Sequence, residues 1–411
     1  MKPKNRIEDL GLFGAEPAFQ EPLHVGRPNI GAKERFLERL NTIFDRRWLT
    51  NDGPYVQEFE HKTAELTGVR HFIATCNGTL ALELAVRALE LTGEVIVPSF
   101  TFVATAHALQ WQQIRPVFCD IDPSTHSIDP RRVEPLITRR TSGIVGVHTW
   151  GKPCAVQELS EIAAHHKLRL LLDAAHAFDC SHQGRMIGGF GDAEVFSFHA
   201  TKFFNTFEGG GVATNDDELA SRIRLMRNFG FAGYDKVVCL GTNGKMNEMS
   251  AAMGLTQLES LGDFVDRNFQ NYRLYLQELE DLPGFRMFRY NENEKCNYQY
   301  MVVEIDDAAS SLSRDELMEV LWAENILARR YFYPGCHRME PYRTLFPDVA
   351  ARLPETEKLV RRVLLLPTGT SVGPVEIRQV CQIIRFALEH GNELKERVTE
   401  QTAVKASSTR R

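Results

Sequence analysis

From about Arg70 onward, short aliphatic and β-branched runs alternate with segments whose apolar residues return every three or four positions. "HFIAT" is followed by "TLALELAVRAL", and "EVIVP" by "TFVATAHALQW". "RPVFCDI" and "SGIVGVHTW" precede the helical "AVQELSEIAAHHK", and "LRLLLDAAHA" comes after it. Runs that are apolar throughout belong to strands covered on both faces. Separated by helices, they predict an α/β domain with a mostly parallel central sheet. Loops at the carboxyl ends of such strands carry ligand-binding residues. After Gly254 the pattern changes: "LTQLESLGDFVDRNFQNYRLYLQELEDL" reads as one long helix ending near Pro283. "NYQYMVVEI", a helix over 314–324, "ILARRYF" and a late helix over 375–390 then predict a smaller α+β domain. The expected organisation is an N-terminal segment over 1–30, a large domain over 31–260, a small domain over 261–393 and a frayed polar tail over 394–411.

Composition narrows the field. With 411 residues, 43% of them hydrophobic, the chain can bury a large core, and a net charge of −6 provides no field for nucleic acid. No apolar run approaches the roughly 20 residues that span a bilayer. "MKPKNRIEDLGLF" lacks the apolar stretch of a signal peptide. Eight cysteines without a C-x-x-C pair read as reduced thiols, hence a cytoplasmic protein. "CLGTNGKMN" fails the phosphate-loop pattern at Cys239 and Met246, and "GGFGDAE" lacks a third dinucleotide-loop glycine at Glu194. Neither His165–His166 nor Cys336–His337 has metal-site spacing, so no metal is expected.

Three segments carry chemistry. Asn77-Gly78-Thr79 lies between a strand and a helix, as either a capped turn or an anion site made by free N–H groups and the Thr79 hydroxyl. Asp173 ends the apolar run "LRLLLD", where it either caps the following turn or meets a cationic ligand, because a buried carboxylate needs a partner. Lys202 lies among Phe198, Phe203, Phe204 and Phe207, five residues after Ser197. It either snorkels to solvent or is a desolvated amine, a nucleophile toward carbonyls. Pyridoxal 5'-phosphate needs all three groups at once: a cradle for its phosphate, a carboxylate for its ring nitrogen and an amine for its aldehyde.

"WLTNDGPYVQEFE", "NGTLALELA", "VIVPSFTFVATAHA", "LLLDAAHAFD", "FSFHATKFFNTFEGGGVATN" and "GKMNEMSAAMGLTQLE" occur in this order. On these motifs the chain resembles the DegT/DnrJ/EryC1/StrS family of nucleotide-sugar aminotransferases, with the fold of the type I pyridoxal-phosphate enzymes, over most of residues 30–390. The resemblance implies that Lys202 binds the cofactor aldehyde and later shuttles a proton, and that Asp173 pairs with the ring nitrogen. It implies that Gly78, Thr79 and Ser197 hold the phosphate, that Phe102 stacks on the ring, and that His176 lies against it near the 3'-oxygen. Asn243 would reach the phosphate across a homodimer interface, although "GTNGKM" departs from the family's aromatic-rich version. His337 would contact the nucleotide-sugar.

The implied reaction moves an amino group from L-glutamate to a keto nucleotide-sugar. Glu208-Gly209-Gly210 resembles the 4-aminotransferases of the family, so a dTDP-4-keto-6-deoxyhexose converted to its 4-amino product is expected, with a role in secondary metabolism such as antibiotic biosynthesis. A 3-keto substrate and a non-catalytic cofactor-binding regulator are the alternatives. The dehydratase relatives carry histidine where this chain has Lys202.

Overall fold

The structure, a computed structural model, describes residues 4–408. Seven strands form the central sheet: β1 (His71–Thr75), β2 (Glu94–Pro98), β3 (Arg115–Cys119), β4 (Thr141–Val147), β5 (Arg169–Asp173), β6 (Ala193–Ser197) and β7 (Gly210–Thr214). Their order is β1-β7-β6-β5-β4-β2-β3. β7 runs antiparallel to both neighbours, and the remaining pairs are parallel. The near-continuous burial of β2 and β5 explains why they lack polar alternation: helices cover both faces of the sheet. Register brings Asp173 level with Val147 and Val195, and Ser197 level with Gly210. The chemistry-bearing residues therefore gather along one edge of the sheet.

The expected long helix is two helices, Glu248–Glu259 and Leu261–Leu279, parted at Ser260. The halves serve different cores. Ala251 and Leu255 pack with Phe59 of the Pro54–Thr67 helix, whereas Tyr272, Tyr275 and Leu279 enter the core of the small domain. That core surrounds an antiparallel sheet in the order Phe285–Met287, Met301–Ile305, Val363–Leu366, with the Pro374–Glu389 helix against it.

The N-terminal segment belongs to the same core. Ile7, Leu10, Phe19 and Leu23 are buried in it, and Leu23–His24 pairs in parallel with Ile326–Leu327. The buried Glu324 carboxylate accepts from the main-chain N–H groups of Gly11 and Ala18, both at 2.6 Å. The segment expected to fray is helical over Gly391–Ser408, where it is rich in helix-favouring Glu, Lys, Gln and Ala; residues 409–411 lie outside the described residues. No helix among the described residues is long and apolar enough to cross a membrane.

Two buried polar contacts tie the domains together. Asp120, just beyond β3, accepts from the N–H groups of Glu355 (3.0 Å) and Thr356 (2.8 Å) and so caps the Pro354–Arg362 helix. His337 joins Ser99 Oγ (2.7 Å) to Glu357 Oε1 (2.6 Å).

Candidate active site

A cavity of about 330 Å³ opens at the carboxyl ends of β5 and β6. Gly78, Thr79, Phe102, Asp173, His176, Ser197 and Lys202 all line it. Asp173 closes β5 and is buried. Its Oδ2 accepts from Thr105 Oγ1 at 2.8 Å and its Oδ1 from the Ala175 N–H at 3.0 Å. Thr105 is itself held by Thr101 Oγ1 at 2.9 Å. Burial pushes the Asp173 carboxyl up from its ordinary value, while Thr105, the Ala175 amide and the charge of Lys202 pull it down. No Lys, Arg or His among the described residues forms an ion pair with it, so it faces the cavity as a buried acceptor without a cation.

Lys202 stands on the loop between β6 and β7, half-buried. Its Nζ donates to the Tyr300 hydroxyl at 3.3 Å. Burial lowers the amine from 10.5 to about 8, against the opposing pull of Asp173. A substantial neutral fraction at neutral pH makes it a nucleophile.

The far end of the cavity suits an anion. Asn77 caps the Gly78–Ala88 helix by accepting from the Leu80 N–H at 2.8 Å. The Gly78 and Thr79 N–H groups remain in the open first turn, where the helix dipole adds positive potential. Space here excludes side chains: a Cβ on Gly78 would lie 2.8 Å from Ser197 Cβ, and one on Gly210 would lie 2.6 Å from the Gly78 nitrogen.

His176 forms a wall of the cavity. Its ring stacks near Trp150 (6.0 Å between centroids) and Phe332 (5.8 Å), and Tyr300 is tilted against it at 4.7 Å. Burial, then the Lys202 charge, holds the imidazole well below its ordinary pKa. The Trp150 main-chain N–H donates to Nδ1 at 3.3 Å, which leaves the proton of the neutral ring on Nε2. Phe102, at the start of the Val103–Gln110 helix, is 61% exposed and leaves its ring face open.

Two expectations need correction. None of Phe198, Phe203, Phe204 or Phe207 lines the cavity. The first three pack behind it with Phe59 and Phe178, and Phe207 is exposed against Phe36. The residues around the amine are Asp173, His176 and Tyr300 instead. His337 does not line the cavity either: it is buried with both ring nitrogens engaged, so it is a tie between domains and not a substrate contact. Asn243, expected to serve a second subunit's site, is exposed and outside the cavity formed by its own chain, pairing at Asn228. Sequence reasoning also missed Thr105, Tyr300, Arg329, Tyr331 and Phe332. The aromatic run "RRYFYPG" was the available sign, but an irregular loop has no period to show which residues turn inward.

The DegT/DnrJ/EryC1/StrS aminotransferase family model matches residues 31–385. This chain belongs to that family. It is 37% identical to the dTDP-4-amino-4,6-dideoxy-D-glucose transaminase of Shigella dysenteriae, over 89% of this chain and 99% of that protein. It is 32% identical to the GDP-perosamine synthase of Escherichia coli O157:H7, over 88% and 97%. The crystal structure of DesI with its TDP-sugar product superposes with a TM-score of 0.91 at 49% identity, covering 96% of this chain and all of DesI. The protein is a pyridoxal-phosphate-dependent aminotransferase. Its cavity fits that cofactor: an anion cradle that any Cβ would fill, a buried carboxylate without a cation, and a desolvated amine.

Proposed function

We propose that this chain transfers an amino group from L-glutamate to C4 of a dTDP-4-keto-6-deoxyhexose, giving the 4-amino-4,6-dideoxy sugar. The observation that carries this reading is the match to DesI, which binds a TDP-sugar product, along nearly the whole of both chains. The 37% identical transaminase named for a dTDP-4-amino-4,6-dideoxy sugar supports it. When bound, pyridoxal 5'-phosphate supplies an aldehyde and an electron-withdrawing ring. Lys202 would hold the aldehyde, and its amine would serve as the general base that takes the donor's Cα proton. Asp173, its carboxylate fixed by two hydrogen bonds, would keep a proton on the ring nitrogen. Gly78, Thr79 and Ser197 would hold the phosphate, and Phe102 and His176, which line the same cavity, would flank the ring. The working unit is a cytoplasmic homodimer, into whose second site Asn243 reaches.

The test is a spectrum and a panel. Purified enzyme should show the visible absorption of lysine-bound cofactor, and glutamate should bleach it. A dTDP-4-keto-6-deoxyhexose should restore it, and Lys202→Ala should abolish the whole cycle. Faster recovery with a 3-keto sugar would move the amination to C3, and absorption indifferent to every amino donor would leave a cofactor-binding regulator.

A further inference from the structure

The Lys202 cavity takes one buried hydroxyl from the small domain, that of Tyr300, which stands just before the Met301–Ile305 strand. Lys202 Nζ donates to this hydroxyl at 3.3 Å and lies 5.9 Å from the ring centre. The amine therefore meets the phenol at its oxygen and not at its π face. Among the described residues it is the one hydrogen-bond partner the hydroxyl has. The other titratable groups lining the cavity are Asp173 and His176 at the end of β5, His199 and Glu208 on the lysine's own loop, and Arg329 and Tyr331 from the small domain. None of them hydrogen-bonds to Nζ among the described residues.

Packing fixes where that oxygen sits. His176 is tilted against the Tyr300 ring at 4.7 Å between centroids, and Trp150 and Tyr331 meet it edge-on at 5.6 and 6.1 Å. The Tyr290 hydroxyl donates to the Tyr300 carbonyl at 2.8 Å. Just upstream, the Asn297 side-chain amide donates to the carbonyls of His176 and Phe178, both at 2.9 Å, and so ties this segment to the loop after β5. Burial, then the neighbouring Tyr331, holds the phenol well above its ordinary pKa against the pull of Arg329, so it keeps its proton at neutral pH. A protonated phenol accepts from an ammonium and donates to a neutral amine, and thus serves Lys202 in both states.

We infer that Tyr300 is a catalytic residue: its hydroxyl receives the Lys202 amine whenever the cofactor releases it and holds it where it collects and returns the donor's proton. The inference rests on the role proposed above for Lys202. A freed lysine swings on a flexible four-carbon stem, and proton transfer depends first on geometry, so a fixed partner for Nζ keeps the amine in reach. Charge matters next. Once the amine has taken a proton it is a cation out of water, and a hydrogen bond made by a charged donor is worth more than one between neutral groups. Tyr300 therefore favours the ammonium, opposing the burial that brings the amine down to about 8. His176 cannot do the same, because its Nδ1 already accepts from the Trp150 N–H and its Nε2 carries the proton.

Tyr300→Phe tests this, since it keeps the ring and its packing and removes only the oxygen. In cofactor-free enzyme the pH midpoint for capture of pyridoxal 5'-phosphate should fall by about one unit, because the ammonium has lost its partner. Capture near neutral pH should then be several-fold faster than in wild type, whereas a variant that merely packs badly would capture more slowly. In the loaded enzyme, bleaching by glutamate should slow by about tenfold or more. Deuterium at the glutamate Cα should slow it further than it slows wild type, as proton transfer becomes the limiting step. A capture midpoint that stays in place or rises would overturn the inference, and so would an isotope effect equal to that of wild type. Wild-type apoenzyme that captures cofactor no better than Lys202→Ala would overturn the role of Lys202 itself, and that of Tyr300 with it.

Discussion

At the scale of single residues the site depends on two groups that burial shifts in opposite directions, the Lys202 amine downward and the Asp173 carboxyl upward. The Lys202 amine sits at about 8, so in the cofactor-free enzyme its neutral fraction grows roughly tenfold per pH unit below that value and levels off above it. The rate at which apoenzyme captures pyridoxal phosphate should follow that curve, read as the growth of visible absorption across pH 6–10 (about two units either side of the amine's pKa). A midpoint near the ordinary 10.5 would mean the amine is solvated. Linkage has a definite sign here. Between about 8 and 10.5 the unfolded chain holds a proton on Lys202 that the folded apoenzyme has released, so this residue's contribution to stability rises with pH through that window. Asp173→Asn preserves shape but removes the charge that holds a proton on the cofactor ring. We expect cofactor to remain bound and kcat to fall by about 10²–10³-fold, the usual cost of one preorganised electrostatic contact. Single-turnover rates with glutamate would show it.

At the scale of elements, several motifs that look catalytic in sequence are joints. Glu248, in "GKMNEMS", is buried and accepts from the N–H groups of Tyr55 (3.1 Å) and Val56 (2.9 Å), capping the Pro54–Thr67 helix from outside. Glu248→Ala strands both donors and should cost about 1–3 kcal/mol, seen as a lower denaturant midpoint with an unchanged slope. What the sequence made legible follows from this. Strands β1–β5 could be read because each is a short apolar run bounded by a break in pattern. Asp173 and Gly78-Thr79 could be read because a strand end fixes where they point. The phenylalanines around Lys202 misled because neighbours in sequence on a turn diverge in space: Phe198, Phe203 and Phe204 turn into the core and leave the amine to Tyr300, 98 positions away. His337 misled because a histidine satisfied by Ser99 and Glu357 looks in sequence like one free to bind substrate.

For the molecule as a whole, the proposed homodimer should bury apolar surface that a single chain leaves exposed. Phe229, Phe231, Tyr234, Val237, Val238 and Leu240 are exposed on the single segment 229–240, and Ile30, Phe44, Trp48 and Leu49 are exposed elsewhere on the large domain and its leading segment. Scattered apolar side chains on a surface are ordinary, but six within twelve residues are the surface the proposed dimer would cover. Sedimentation should give twice the mass of the chain, and Leu240→Asp should shift it toward monomer. The central claim, that Lys202 and Asp173 run transamination on a 4-keto nucleotide-sugar, is tested most directly by following cofactor absorption through one complete cycle. The account predicts bleaching by glutamate, then recovery on adding dTDP-4-keto-6-deoxyhexose, with neither change in Lys202→Ala. Absorption that glutamate leaves untouched, or a bleached enzyme that no 4-keto nucleotide-sugar restores, would contradict it.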